Sequence, residues 1–310
     1  MTDKKKINAT GSGGKVLIPV DFSPRGALAL RVGFELARRL GKEVDLIHAS
    51  IIANPMIEPQ FPDDFNGLDN ENAELEEIEL EKEVHTIDEG SMDKLRRKIE
   101  KLQQTGDFPS IKFDTIIAPG MPEEVMAEYC AVTPPAVIVM ATRGVEKRRE
   151  ELVGSVTAEV IDKGIAPVLT VPSDYSFAGF KQIVRICALC HFDGGDVEAV
   201  DALMKMFDNP EVKIYLFPAT DKLKHEEAVG GLQNLQSKLS EQYPSAEFLA
   251  CDIQKGKNLR EEAERIFIAN DIQMILAPNR KRNAISRFFK PGLAHKILFE
   301  IDFPLLAIPT

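Results

Sequence analysis

Nowhere in the 310-residue sequence do 18 apolar residues run together, so no membrane-spanning helix is expected. The start, MTDKKKINATGSGG, carries charge but no apolar stretch, so no secretory signal is expected either. Without export, the Asn8-Ala9-Thr10 sequon is not a glycosylation site. The GSGGK stretch lacks the preceding strand, and the Ser/Thr after Lys15, that a phosphate-binding P-loop needs, so residues 1–14 read as a flexible tail. Four cysteines in a chain of this length do not make a disulfide scaffold. Basic residues are also outnumbered, 38 against 49 acidic ones. The net charge of −11 argues against a duplex nucleic-acid partner, and the cytoplasm is the expected location. No Ser-His-Asp order, His-Glu-x-x-His pair or other recognisable hydrolytic set appears, so no catalytic residue is assigned.

The sequence does have alternating apolar runs and amphipathic segments, over a length that suits two domains. KVLIPV (15–20) reads as a buried strand. Ser23 suits a helix N-cap, with Pro24 at the first helical position. Leu28, Val32, Leu36 and Leu40 then form one apolar helix face, ended by Gly41. EVDLIHAS (43–50) is the next strand and completes a βαβ unit. Strands follow at SIKFDTIIAPG (110–120), PAVIVMA and APVLTVP, separated by helices at MPEEVMAEYCAVT and SVTAEVIDKG. Continuous apolar strands without polar alternation imply a parallel sheet covered on both faces.

An acidic insertion at about 68–106 interrupts this order. Between Asp69 and Glu89 ten residues are acidic and one, Lys82, is basic. The segment is expected to be helical, with Met92, Leu95, Ile99 and Leu102 as its apolar stripe and Gly90-Ser91 as a place to kink or divide. It reads as a solvated helix face or as a docking surface for a basic protein partner.

The pattern then repeats from 180 to 310. Strands are expected at FKQIVRICAL (180–189), EVKIYLFPA, AEFLACDI, IQMILAP and FPLLAIP, with helices between them at GGDVEAVDALMKMF, 221–242, NLREEAERIFIAN and GLAHKILFEID. GIAPVLTVP and IDFPLLAIP close the two copies with the same phrase, which marks an internal duplication. CALCH (187–191) formally matches a haem-attachment signature, but it ends a buried strand and reads as buried thiols. His48 reads as a core or rim histidine, not a catalytic base.

One loop draws attention. ATRGVEKRREELVGS (141–155) leaves an apolar strand and enters a helix through Gly154-Ser155. Four basic and three acidic residues lie between. Glycines let a backbone approach an anion, and the first N–H groups of a helix are unpaired. The loop therefore reads either as a phosphate cradle or as a solvated connection.

KVLIPVDFSPRGALAL, APGMPEEVMAEY, VIVMATRG and GSVTAEVIDKGIAPVLTVP resemble the universal stress protein family, over 15–173 and more weakly over 180–310. The resemblance implies an α/β fold: two tandem five-stranded parallel-sheet sandwiches, packed as an intrachain pseudo-dimer through their fifth strands. Apolar VLTV (168–171) and LLAI (305–308) would pair there, and a further homodimer is compatible with this arrangement. Nucleotide-binding members of the family carry Gly-x2-Gly-x9-Gly-Ser/Thr after the fourth strand. Here the motif is Ala141-x2-Gly144-x9-Gly154-Ser155, intact in spacing, with Ala141 as its one departure.

By the same resemblance, Asp21 is the adenine contact, Pro19, Val20 and Ala49 line the base pocket, and Met140 and Val156 are further contacts. Gly120 and Pro122 sit where the sheet edge meets the ribose. The implied ligand is ATP, or ADP or AMP, in the first copy only, with Mg as an optional companion. If position 141 required positive φ, its alanine would cost about 1 kcal/mol. Aligning Pro167 with Pro304 puts Pro278, Lys281, Pro291 and Gly292 at the four motif positions, and puts a residue near Ala188 opposite Asp21. The second copy is therefore expected to be a nucleotide-free structural partner. A basic cluster, Arg280, Lys281, Arg282, Arg287 and Lys290, reads as a solvated loop or as a site for an anionic partner. The alternative for the whole chain is a nucleotide-free stress-signalling scaffold. A slow ATPase is the most enzymatic reading.

Overall fold

The computed structural model describes residues 14–23, 26–50, 70–142, 155–172, 175–207, 211–219, 223–279 and 303–310, with the side chains of 70–85, Ser155 and Arg260 left aside. The first half places β1 (Val16–Pro19), α1 (Gly26–Leu40), β2 (Val44–Ser50), α2 (Asn70–Thr105), β3 (Phe113–Pro119), α3 (Pro122–Val132), β4 (Val137–Thr142), α4 (Ser155–Lys163) and β5 (Val168–Pro172). The second half follows with β6 (Arg185–Cys190), α5 (Gly194–Phe207), β7 (Lys213–Pro218), α6 (His225–Gln242), β8 (Glu247–Ala250), α7 (Leu259–Ala269), β9 (Met274–Asn279) and β10 (Leu305–Pro309). The helix expected at GLAHKILFEID and the basic cluster lie outside the described residues.

All ten strands form one sheet, in the order β3-β2-β1-β4-β5-β10-β9-β6-β7-β8. Each half is parallel throughout, and the halves meet at β5 and β10, which run antiparallel with Leu169 opposite Leu306. The order reads the same outward from that seam. Both strands at the seam are buried, because each closes the other's edge. Helices cover both faces, as the continuous apolar strands require.

Local sequence explains the elements. In α1, Val32, Phe34 and Leu36 are buried, and Leu28 and Leu40 pack against the same core. Gly41 ends the helix at φ +61°, with its N–H on Arg38 O at 3.3 Å and that of Lys42 on Ala37 O at 2.9 Å. This is a Schellman closure, for which glycine suits the left-handed position. The acidic insertion is one unbroken helix of 36 residues, so Gly90-Ser91 does not divide it. Met92 and Ile99 anchor it in the core shared with α1.

Two expectations need correction. Phe180–Gln182 is a turn of 3-10 helix, not strand, and β6 begins only at Arg185. Phe180 is held between Phe177 and Phe207 in edge-on ring contacts at 5.0 and 5.3 Å, which pins the linker to the core and delays the strand. Ser23 does not act as a side-chain N-cap. Its hydroxyl is buried with no hydrogen-bond partner among the described residues, and the Asp21 carboxylate instead accepts the Ser23 N–H at 3.0 Å.

At the amino ends of β1 to β3, Lys15 Nζ lies 2.8 Å from Asp45 and 2.7 Å from Asp114. The Tyr129 hydroxyl donates to the other oxygen of buried Asp45, and burial followed by this bond pushes the phenol up. Burial works against the Lys15 ammonium, but the hydrogen bonds to Asp114 and Asp45 outweigh it and hold its pKa above the ordinary value. This network lies opposite the end of the sheet where open parallel sheets bind ligands.

Candidate functional site

The first half reverses its strand order between β1 and β4, and the crevice outside the carboxyl ends of these strands is where such sheets bind ligands. The expected contacts converge there. Pro19 ends β1, and Val20 and Asp21 follow it. Ala49 lies at the end of β2, and Gly120 follows β3. Met140 and Ala141 end β4, Pro122 opens α3, and Ser155 and Val156 open α4. Gly144 and Gly154 lie outside the described residues, so half of the glycine motif has no described geometry.

These residues divide by what each offers. Asp21 is exposed, with one oxygen held by the Ser23 N–H. Ala49 is half-buried and packs against the α3–α4 side of the core. Met140 is buried in that core, so only its backbone remains for a ligand. Ala141 pairs with Val171 inside the ladder and does not have positive φ, so the alanine carries no backbone strain and adds only a methyl group. Gly120 does need its missing side chain: its φ is +131°, and a Cβ there would come 3.3 Å from Val125. Its N–H donates to Ser50 O at 3.1 Å, which turns the chain sharply into α3. Pro122 then sits in the first helical turn beside Glu123 and Glu124.

His48 and Ser50 flank Ala49 and point to the other face of the sheet. His48 Nδ1 lies 2.8 Å from Val20 O, and its Nε2 lies 3.3 Å from Asp88 on α2. Ser50, itself buried, donates to the second oxygen of Asp88 at 2.5 Å. The Phe22 ring stands 4.4 Å from the imidazole, on a residue at φ +55°. The sequence alone gave no sign of this cluster, because Asp88 is one of many acids in its segment.

The second half presents a different surface. Val16 pairs with Val44 and Val137, while Ile186 pairs with Ile214 and Met274, so these two residues are equivalent. Asp21 is therefore matched by His191, not by a residue near Ala188, because the late start of β6 shifts the register by three. Phe22 is matched by Phe192, and both have positive φ, +55° and +64°. Gly26 is matched by Asp196, whose carboxylate is buried. It accepts the backbone N–H groups of His191 at 2.9 Å, Phe192 at 2.6 Å and Asp193 at 3.2 Å. Burial pushes this carboxyl up, while the amides of His191 and Phe192 pull it back. The turn after β6 is thus filled by the chain's own anion.

Pro278 sits on β9 beside Ile308, where an amide N–H is absent. Lys281, Pro291 and Gly292 lie outside the described residues. All four cysteines are buried and free. Among the described residues no group of three or more His, Cys, Asp or Glu side chains is placed to hold a metal ion, and no helix is long and apolar enough to cross a membrane. For an adenine nucleotide, the first half offers an exposed carboxylate at the end of β1, a side-chain-free turn at Gly120 and the amino end of α4. The carboxylate is an acceptor suited to the amino group of a base, and the amino end of α4 offers amide donors suited to an anion. For magnesium, the described residues offer no comparable set.

Known proteins agree with this architecture. The model of the universal stress protein family matches residues 14–172. Universal stress protein MJ0577 of Methanocaldococcus jannaschii is 29% identical over 160 residues, which cover 51% of this chain and 93% of that protein. The crystal structure of a universal stress protein from Archaeoglobus fulgidus is similar with a TM-score of 0.66 at 14% identity, covering 95% of this chain and 98% of the other. A functionally unknown protein from Pseudomonas aeruginosa, PA1789, gives a TM-score of 0.53 at 11% identity, over 95% of this chain and 92% of its own. At these identities the two structures speak to the fold alone, and they do so across both halves. The sequence match over the first half and the shared fold over the whole lead to one conclusion: the chain belongs to the universal stress protein family.

Proposed function

We propose that the chain is a stress-response binding protein that takes ATP or another adenine nucleotide in its first half. The second half is a nucleotide-free structural partner, and the two form an intrachain pseudo-dimer across the β5–β10 seam. The observation that carries this reading is the contrast between equivalent turns. In the first half, position 26 is glycine and Asp21 is exposed beside it. In the second half, Asp196 stands at that position and fills the turn. Ser155-Val156 at the amino end of α4 supports a phosphate contact, and Asp21 supports a base contact. The role is binding, and magnesium would accompany the nucleotide instead of sitting in a protein cage. The expected setting is the cytoplasm.

A thermal shift tests this directly. A nucleotide at 100 times its dissociation constant adds about 2.7 kcal/mol of stability. Native mass spectrometry of freshly purified protein should show one adenine nucleotide per chain. Two per chain would contradict the assignment to the first half. No shift at millimolar ATP would favour the second reading, a nucleotide-free scaffold that docks a basic protein on α2. The acidic surplus of that helix is what favours it.

A further inference from the structure

We propose that α2 is a clasp on the nucleotide site, and that Asp88 is the positioning residue through which the helix and the ligand influence each other. The proposal rests on the nucleotide reading above. One carboxylate on α2 reaches two side chains on β2, His48 at 3.3 Å and Ser50 at 2.5 Å. Each of those residues reaches a different wall of the crevice. His48 holds Val20 O at 2.8 Å, and its ring supports Phe22 at 4.4 Å, so it fixes the turn that carries Asp21. The Ser50 carbonyl holds the Gly120 N–H at 3.1 Å, so it fixes the turn after β3. Ala49, the base-pocket residue of β2, lies between the two. One carboxylate on α2 therefore touches both β2 residues that lead to the turns after β1 and β3, and adds a side-chain tie to the backbone ladder that already aligns these strands.

The chemistry makes this a coupling and not only a brace. His48 has an oxygen at each ring nitrogen, Val20 O on one side and the Asp88 carboxylate on the other, so a single ring joins the turn after β1 to α2. Asp88 is half-buried, so its bonds form in partial shelter from water. From Met92 onward the helix is tied to the core by apolar side chains, and Asp88 sits one turn before that anchor. A partner that draws the acidic helix outward would release His48 and Ser50 together. Linkage then requires that nucleotide binding oppose the release to the same extent.

The test compares wild type, Asp88→Ala and the milder Asp88→Asn by calorimetry with ATP and by backbone hydrogen exchange, with circular dichroism as the check on folding. Asp88→Ala should bind ATP about five- to tenfold more weakly, and Asp88→Asn should fall between it and wild type. ATP should slow exchange at residues 86–92 in wild type and not in Asp88→Ala. Exchange at Val20–Ser23 and at Gly120 should rise in Asp88→Ala without nucleotide. Wild-type affinity in a folded Asp88→Ala variant, with unchanged exchange at those turns, overturns the clasp and leaves the nucleotide reading standing. Absence of ATP binding by wild type overturns both.

Discussion

Asp196 and Phe192 are joined by the closest of the contacts that close the turn after β6, a backbone N–H to carboxylate bond of 2.6 Å. Two neighbouring amides share the same carboxylate. Asp196→Ala would leave three N–H groups in a partly buried turn without this partner. A loss of about 2–3 kcal/mol is expected from denaturant unfolding. Asp196→Asn keeps one accepting oxygen and should fall between. A midpoint that stays put in Asp196→Ala would mean that the turn is held by other forces.

The ammonium of Lys15 holds the Asp114 carboxyl below the usual aspartate value, chiefly by hydrogen bonding, against the opposing effect of burial. A depressed folded value means that the unfolded chain takes up the extra proton first. The stabilisation is therefore complete above about pH 4 and is lost as the pH falls through the folded value. The raised value of Lys15 itself keeps its contribution intact up to about pH 10. Lys15→Met removes these effects and leaves Asp45 buried without its cation. It should cost about 3 kcal/mol at neutral pH. The gap from wild type should stay level between about pH 5 and pH 9 and narrow below about pH 4. A gap that widened in acid would contradict the network.

Leu169 and Leu306 face each other across the seam, each 1% exposed. Lysine at either position would bury an ammonium without a partner. The expected loss is about 3 kcal/mol or more, together with a larger hydrodynamic radius as the halves part. Unchanged melting temperature and radius would contradict a stabilising seam.

Gly231 of α6 lies under the Phe192 ring, and a Cβ there would come 2.7 Å from it. A Cβ on Gly230, the next residue toward the amino end, would have nothing within 4 Å. Gly231→Ala should therefore destabilise by about 1–3 kcal/mol, by pushing the ring off its seat. Gly230→Ala should be neutral or stabilising by up to about 1 kcal/mol, because alanine is the better helix former. Equal effects at the two positions would count against the ring contact.

Burial pushes the thiols of Cys130 and Cys251 up to about 12 and raises those of Cys187 and Cys190 as well. At pH 8 a thiol with a pKa near 12 is thiolate about once in 10,000 molecules, and the thiolate is the reactive form. Native protein should show no rapid reaction with a disulfide reagent, and four thiols should appear after unfolding in guanidinium. A rapidly reacting native cysteine would point to an opening at its strand.

The strands were legible in the sequence because each is a short apolar run between turn residues. Val44–Ser50 and Val168–Pro172 fall within the segments that the pattern marks. Phe180–Gln182 was misread because an apolar run does not say whether it lies in the sheet or packs on it as a linker. That error carried into the site, where it set Ala188 in place of His191 opposite Asp21. The anchoring of the turn after β6 was hidden for another reason. An aspartate at the start of a helix ordinarily favours the dipole, and only the turn's geometry shows Asp196 reaching back to three amides. The Asp88 cluster escaped for the reason that conceals most long-range polar contacts: Ser50 and Asp88 are 38 positions apart and share no local pattern.

The antiparallel join of β5 to β10 also sets a timetable. Thr170 and Leu305, bonded across it at 3.4 Å, are 135 positions apart. A ribosome finishes the first half's strands well before it makes the one that shields Val168–Pro172. During that interval an apolar ribbon with unpaired amides faces the crowded cell, and a chain stalled there would be prone to stick to its neighbours. Slower translation through the second half would lengthen that exposure, whatever the stability of the finished fold.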